Sequence, residues 1–312
     1  MTSTRKPTTL KRRIARALKP LRAVPPQRPR DTGPAAVVAA PASPPVHDPA
    51  PAPAPLERTP SGMDEVRRQA DVFAETLQQV KAQGADFPWY PYQSMHNVGV
   101  LDQLLTGERR DLFQQLRGKR IADIGAADGD IAFLMESLGC RVDIIDNGPT
   151  NMNQLRGAAL VKQRLNSRVE IHSVDLDQYF TLPAKYDFAF FMGILYHLQN
   201  PFYVMKTLAR NTRTIVLSTR IASHPPMEYV TGDADPGYRD VPLAYLLDAD
   251  ESNGDSTNYW TFTEGGLKRL LKRTGWEVLD YITIGEHRRS DPRRDDRDQR
   301  AFCFLRSTAY ED

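Results

Sequence analysis

The sequence has only two cysteines, Cys140 and Cys303, and neither shares a metal-ligand spacing with the six histidines. A disulfide framework and a zinc cluster are therefore excluded as organising devices, no metal is expected, and two thiols beside apolar runs fit core positions in a reducing, cytoplasmic setting. No apolar run reaches the roughly 18 residues of a membrane span, and no signal-peptide core is present. A Gly-x-Gly-x-x-Gly fingerprint is missing too, which leaves a pyrophosphate cradle poorly formed and disfavours a nicotinamide-dependent oxidoreductase. What remains, 312 residues of which 40% are hydrophobic and 26% charged, suits one large α/β domain with additions.

The net charge of +2 conceals a division. Residues 1–60 hold eleven Lys or Arg against three Asp or Glu, a net of +8, which leaves −6 for the rest. The same stretch holds fourteen of the 24 prolines, mostly among alanines, and cannot bury enough apolar surface to offset its ordering entropy; it reads as a disordered Pro/Ala-rich tail. Within it Leu10, Ile14, Leu18 and Leu21 fall at helical spacing among basic residues. They form either a solvated basic segment or a thin amphipathic helix making weak contact with an anionic membrane or RNA. Residues 61–118 read as an N-terminal helical cap: a helix from Ser61 to Gly84, an aromatic cluster of Phe87, Trp89, Tyr90 and Tyr92 that is core filling or a fixed loop, and a second helical stretch from Val98 to Leu116.

The most informative stretch begins at Ile121. Ile121, Ala122 and Ile124 form the apolar run of a buried parallel strand, which enters the turn Gly125-Ala126-Ala127-Asp128-Gly129-Asp130. The glycines permit a tight turn and close approach of a ligand, and the helix that follows, with Ile131, Phe133, Leu134 and Leu138 at helical spacing, offers its free N–H groups to the same place. A second strand, Val142 to Ile145, ends in Asp146, about twenty residues beyond the turn, where a carboxylate can accept from both hydroxyls of a ribose. A third ends in Asp175 and Leu176, and a fourth, Phe188 to Met192, runs into Gly193-Ile194-Leu195-Tyr196-His197. Acids at 128 and 130 disfavour a phosphate-bearing ligand. They tolerate a cationic one, and S-adenosylmethionine carries sulfonium and ammonium charges. Residues 222–258 form a long polar insertion, the expected place of a substrate lid. Thr263 caps a last helix, Glu264 to Arg273, and two strands, 276–284 and 300–305, close the domain.

These residues resemble the class I S-adenosylmethionine-dependent methyltransferases, whose first motif is acid-x-Gly-x-Gly-x-Gly: Asp123, Gly125 and Gly129 match, and Ala127 stands at the middle glycine. The resemblance implies a Rossmann-like, seven-stranded α/β sheet with the last strand antiparallel, filling residues 119–312. It also implies a cofactor site of Asp123, Gly125, Ala127, Gly129, Asp146, Asp175 and Leu176. Over residues 85–305, the segments 190–201 (FFMGILYHLQNP), 258–276 and 286–292 are similar to the bacterial tRNA wobble-uridine carboxymethyltransferases and their relatives. That narrower resemblance puts Met192 and Tyr196 beside the cofactor and Arg288 or Arg289 toward an anionic group. Family members that use carboxy-S-adenosylmethionine carry a lysine in a Trp-Arg-Lys-Gly segment; the counterpart here, Trp89-Tyr90-Pro91, has none.

Tyr196 and His197 are thus either an aromatic pair buried at a strand end or a working pair, Tyr196 against the sulfonium and His197 as general base. The expected reaction is methyl transfer to a hydroxyl or similar nucleophile of a small molecule, sugar or RNA nucleoside, with Arg289 near the acceptor. The alternatives are carboxymethyl transfer and a non-catalytic S-adenosylmethionine-binding protein.

Overall fold

A computed structural model describes residues 62–226, 237–287 and 289–311. The basic tail, the Ser61 cap and Arg288 lie outside them. The cap region opens with α1 (Gly62–Ala82), which buries Met63, Val66, Ala70, Leu77 and Val80 at helical spacing. The expected single helix over 98–116 is instead three pieces: α2 (Asn97–Leu104), a 3-10 turn (Gly107–Asp111) and α3 (Leu112–Gln115). Extended backbone at Leu105 and Thr106 and the positive φ of Gly107, 56°, break it.

The domain then alternates strand and helix: β1 (Arg120–Ile124), α4 (Asp130–Ser137), β2 (Arg141–Asp146), α5 (Arg156–Leu165), β3 (Glu170–Ser173), β4 (Tyr186–Met192), α6 (Pro201–Asn211) and β5 (Thr212–Ile221). Two short strands, β6 (Ala244–Leu246) and β7 (Trp260–Phe262), precede α7 (Glu264–Arg273), and β8 (Trp276–Gly285) and β9 (Gln299–Ser307) close the chain. The principal sheet runs β3-β2-β1-β4-β5-β9-β8; the first five strands are parallel, and β9 lies antiparallel between β5 and β8. This is the expected seven-stranded sheet with its last strand antiparallel. The β6–β7 ribbon is an addition, joined to β5 through the single pairing Ile221↔Phe262.

Helices cover both faces, so the central strands are mostly apolar, as parallel strands between two helical layers are, with Asp123 and Asp143 as buried exceptions. Phe188 and Phe190 project to the side covered by the cap, where Phe113 meets them at 6.0 and 6.1 Å between ring centres. Ala189 and Phe191 project to the other side, among Val204, Leu208, Leu267 and Leu271. Fully burying a side chain of the size of phenylalanine contributes about 1.5–3 kcal/mol, so the β4 pattern pins its register against a one-residue slip. Thr263 accepts the N–H of Gly266 at 3.0 Å and caps α7 as its type predicts. Both cysteines are free and buried, and among the described residues no helix is long and apolar enough to cross a membrane.

Candidate functional site

The C-terminal ends of β1, β2, β3 and β4 converge on one edge of the sheet, the edge at which open α/β sheets bind ligands. Gly125 and Gly129 have φ of 75° and 81°, and Ala127 joins them at 55°. Alanine therefore adopts the left-handed conformation that a middle glycine takes freely, and the turn keeps its shape. Packing alone requires glycine at both positions. A Cβ on Gly125 would lie 2.1 Å from Ile194 Cγ2, and one on Gly129 would lie 2.6 Å from Ile144 Cδ1. Side chains of the protein already occupy those spaces.

Asp123 is buried in β1 and accepts the backbone N–H of Ala132 at the start of α4. Burial first, then the neighbouring Asp146, push its pKa up to about 7, against the help of that hydrogen bond. A cationic ligand beside Asp123 would favour its ionised form. We therefore expect S-adenosylmethionine affinity to rise with pH up to about 7 and then level off, and Asp123→Asn to flatten that profile. Calorimetric titration between about pH 5.5 and 8.5 checks it; an unchanged slope in the variant would remove Asp123 as the titrating group.

Asp146, at the end of β2, is shared. Its Oδ2 accepts from Ala127 N at 3.0 Å and Asn151 Nδ2 at 3.1 Å, and its Oδ1 from Asn147 N at 2.7 Å. With about four acceptor positions on a carboxylate, roughly one is left, so Asp146 suits one ribose hydroxyl rather than two. Burial raises its pKa, and the hydrogen bonds from Ala127, Asn147 and Asn151 oppose the rise.

Asp128 and Asp130 are internal anchors. Asp128 is 2% exposed and accepts from Tyr90 N at 2.9 Å, Asn153 Nδ2 at 2.8 Å and Lys81 Nζ at 3.2 Å. Lys81, from the end of α1, also pairs with Asp130 at 2.8 Å and lies 5.3 Å from the Trp89 ring centre. Tyr90 adds a second lace, its hydroxyl accepting Met152 N at 2.9 Å, and burial pushes its pKa up to about 12. The aromatic cluster is thus a fixed loop tying the glycine turn to the segment after β2. Lys81, Asn151 and Asn153 carry no sequence motif; the two buried acids were the only clue to a buried cation.

Past β3, Asp175 is exposed and accepts Asp177 N at 3.0 Å, while Leu176 sits in the apolar core. Met192 is half-buried at the end of β4. Tyr196 and His197 follow in a 3-10 turn, Leu195–His197, with ring centres 4.2 Å apart. His197 Nδ1 lies 3.1 Å from the Thr257 carbonyl oxygen and 3.0 Å from Thr257 Oγ1. The carbonyl can only accept, so Nδ1 carries the proton and Nε2 keeps its lone pair. Burial holds the His197 pKa below the ordinary histidine value, opposed by the Thr257 hydrogen bond. Residues of the insertion therefore build on this turn, where Tyr259 N also donates to the Tyr196 carbonyl at 2.8 Å.

The cation beside Tyr196 is Arg300 of β9, not Arg289. Arg300 Nη1 reaches the Tyr196 hydroxyl at 3.5 Å, its guanidinium carbon lies 5.8 Å from the ring centre, and Asp298 holds its Nε at 2.9 Å. Burial acts against its charge, and Tyr196 and Asp298 more than offset it, so the pKa is raised. Arg289 is exposed, its N–H donating to Glu286 at 3.2 Å. The group of potential metal ligands found among the described residues, Asp143, Glu170 and His172, is already served by the Arg120 guanidinium, 2.8 Å from Asp143.

Comparison with known proteins adds three findings. Residues 100–281 match the model of a methyltransferase domain family. The tRNA U34 carboxymethyltransferase of Aliarcobacter butzleri is 24% identical over 185 residues, 57% of this chain and 55% of that protein. That of Campylobacter hominis is 32% identical over 97 residues, 31% of this chain and 33% of that protein. The chain thus spans about half and about a third of the length of these curated relatives. Among solved structures, the N-terminal domain of EvdMO1 with SAH bound is similar over 76% of this chain and 96% of that one, at 16% identity and a TM-score of 0.44. With more than half its length matching the family model, the chain belongs to the methyltransferase domain family, the class I S-adenosylmethionine-dependent methyltransferases.

Proposed function

We propose that this methyltransferase holds S-adenosylmethionine through Asp123, the 125–129 turn, Asp146, Asp175, Leu176, Met192 and Tyr196, and methylates a hydroxyl or similar nucleophile of a small molecule, sugar or RNA nucleoside. The observation that carries the reading is the His197 ring, oriented by Thr257 with Nε2 free to take a proton. The turn fits the cofactor by its acceptor chemistry: Asp146 retains about one acceptor position for a hydroxyl, and Asp123, when ionised, favours a cation, whereas Asp128 and Asp130 are already paired with Lys81. When bound, S-adenosylmethionine supplies a methyl group already activated on sulfur. The protein's tasks are alignment, exclusion of water and removal of the acceptor proton, and the lone pair left on His197 Nε2 supports assigning the last of these to His197.

Titration with S-adenosylmethionine, followed by assay for S-adenosylhomocysteine after incubation with a cell extract, tests the proposal. Binding without product would favour a non-catalytic binding protein, and no binding would sink the reading. His197→Ala should lower turnover by about 10²–10⁴-fold, the usual worth of a general base, with cofactor affinity little changed. The acid limb of the parent's rate profile should fall below pH ~6.5, because burial lowers the His197 pKa. A variant retaining full activity on an identified acceptor would exclude the base role.

A second reading, carboxymethyl transfer, has one observation in its favour. Arg300 and the Tyr196 hydroxyl form a cation and donor pair suited to a carboxylate, and the curated relatives are carboxymethyltransferases. Tighter binding of carboxy-S-adenosylmethionine than of S-adenosylmethionine, lost in Arg300→Ala, would favour it.

A further inference from the structure

Helices α6 and α7 lie side by side: Trp276 Nε1 donates to the Met205 carbonyl at 2.9 Å, and the Arg273 guanidinium stands 5.8 Å over the Phe202 ring. Their outer surfaces present Lys206 and Arg210 from α6 and Lys268, Arg269, Lys272 and Arg273 from α7, all exposed. The one carboxylate on the two helices, Glu264, is taken by Lys268 at 2.6 Å. Among the described residues Lys206, Arg210, Arg269 and Lys272 form no ion pair. This concentration runs against the net charge of −6 carried by residues 61–312.

Three exposed aromatic side chains border the cations: Tyr179, 90% exposed, Phe202, 41%, and Tyr203, 37%. Tyr203 meets Phe180 edge to face at 5.6 Å, which brings the segment carrying Tyr179 against the start of α6. They also sit at the end of the face nearest the candidate site. Asp177, two residues beyond Asp175, accepts the N–H groups of Gln199 and Asn200 at 3.1 and 3.0 Å where α6 begins. The exposed large aliphatic residues, Val72, Val241, Leu243 and Leu246, lie on other elements, which distinguishes this face from a lipid-contacting one.

We propose that the α6–α7 face docks a single-stranded nucleic acid, with phosphates on the cations and unstacked bases on Tyr179, Phe202 and Tyr203, and leads it toward the sheet edge that carries the candidate site. The inference narrows the acceptor class of the proposed reaction; it rests on that reading for turnover and not for binding.

The test uses the full chain and fluorescence anisotropy with a labelled mixed-sequence single strand of about 20 nucleotides, as RNA and as DNA, over a range of salt. The variant Lys206→Ala/Arg210→Ala/Arg269→Ala/Lys272→Ala should lose about 30-fold or more in affinity, with the log–log salt slope falling by about 3, near 0.7 per phosphate contact removed. Phe202→Ala/Tyr203→Ala should lose about 10-fold with the slope unchanged. A control with equal charge loss at the opposite sheet edge, Arg117→Ala/Lys119→Ala/Arg141→Ala/Arg168→Ala, should lose less than about 3-fold. The basic tail is common to all of them. Equal losses in face and control variants, no loss in either, or tighter binding of the parent to phosphatidylcholine–phosphatidylserine vesicles than to either strand would overturn the proposal. S-adenosylmethionine titration of the same proteins separates the two readings. Cofactor binding without face-specific strand binding overturns this inference alone, and strand binding without cofactor binding overturns the methyltransferase site alone.

Discussion

Asp146→Ala is expected to weaken S-adenosylmethionine binding by about 150-fold to 1,000-fold. Two charge-assisted contributions of about 1.5–2 kcal/mol each are lost together, the hydroxyl accepted by the carboxylate and the order it imposes on the turn. The second follows from Oδ2 holding Ala127 N, the amide at the left-handed residue of the turn. Asp146 ends a strand and is not part of the apolar core, so the melting temperature should move by only a few degrees. Calorimetric titration and thermal unfolding of one preparation give both quantities. Unchanged affinity would remove Asp146 from the cofactor site, and collapse of the fold would mean that its role is structural.

Lys81→Met should have the largest effect on stability. Among the described residues Lys81 is the only cation paired with Asp128 and Asp130, whose side chains are 2% and 9% exposed. Removing one partner of a buried pair leaves an uncompensated charge and costs about 3–5 kcal/mol. Burial already raises the Asp130 pKa and Lys81 holds it down, so the variant drives it higher. An acid with a raised folded pKa destabilises the fold once pH exceeds its unfolded value. The deficit should therefore shrink as pH falls toward ~4 and the Asp130 carboxyl protonates. Denaturant unfolding at several pH values checks it, and Lys81→Arg should recover part of the loss. A deficit independent of pH would show that lost packing against Trp89, rather than lost charge, is responsible.

The fold was largely legible because its determinants are local. The alternation of apolar runs with helical spacing marked β1, β2, β3, β4, β8 and β9, and Thr263 marked the start of α7. The β6–β7 ribbon escaped notice: three-residue strands in a polar insertion have too few alternating positions to show a period. A candidate residue's place was legible where it ends a strand, as Asp146 ends β2, and contacts were illegible where the partner is remote in sequence. Arg300 meets Tyr196 across 104 positions and Lys81 meets Asp128 across 47; only the topology brings these residues together. The choice of Arg289 as the cation followed a nearby arginine pair, whereas the antiparallel return of β9 carries a different arginine to the turn after β4.

The attachment of β6 and β7 to β5 has a consequence for how such a protein diversifies. One backbone rung, Ile221↔Phe262, joins the ribbon to the sheet, and the buried Arg220 side chain ties Ser252 and the Arg294 carbonyl to the same strand end. Sequence drift between residues 222 and 258 has almost no leverage on the register of β1, β2 and β4, which is fixed by their own pairings. Much of the insertion can therefore vary without disturbing the glycine turn, provided that Ser252 still meets Arg220 and Thr257 still orients His197.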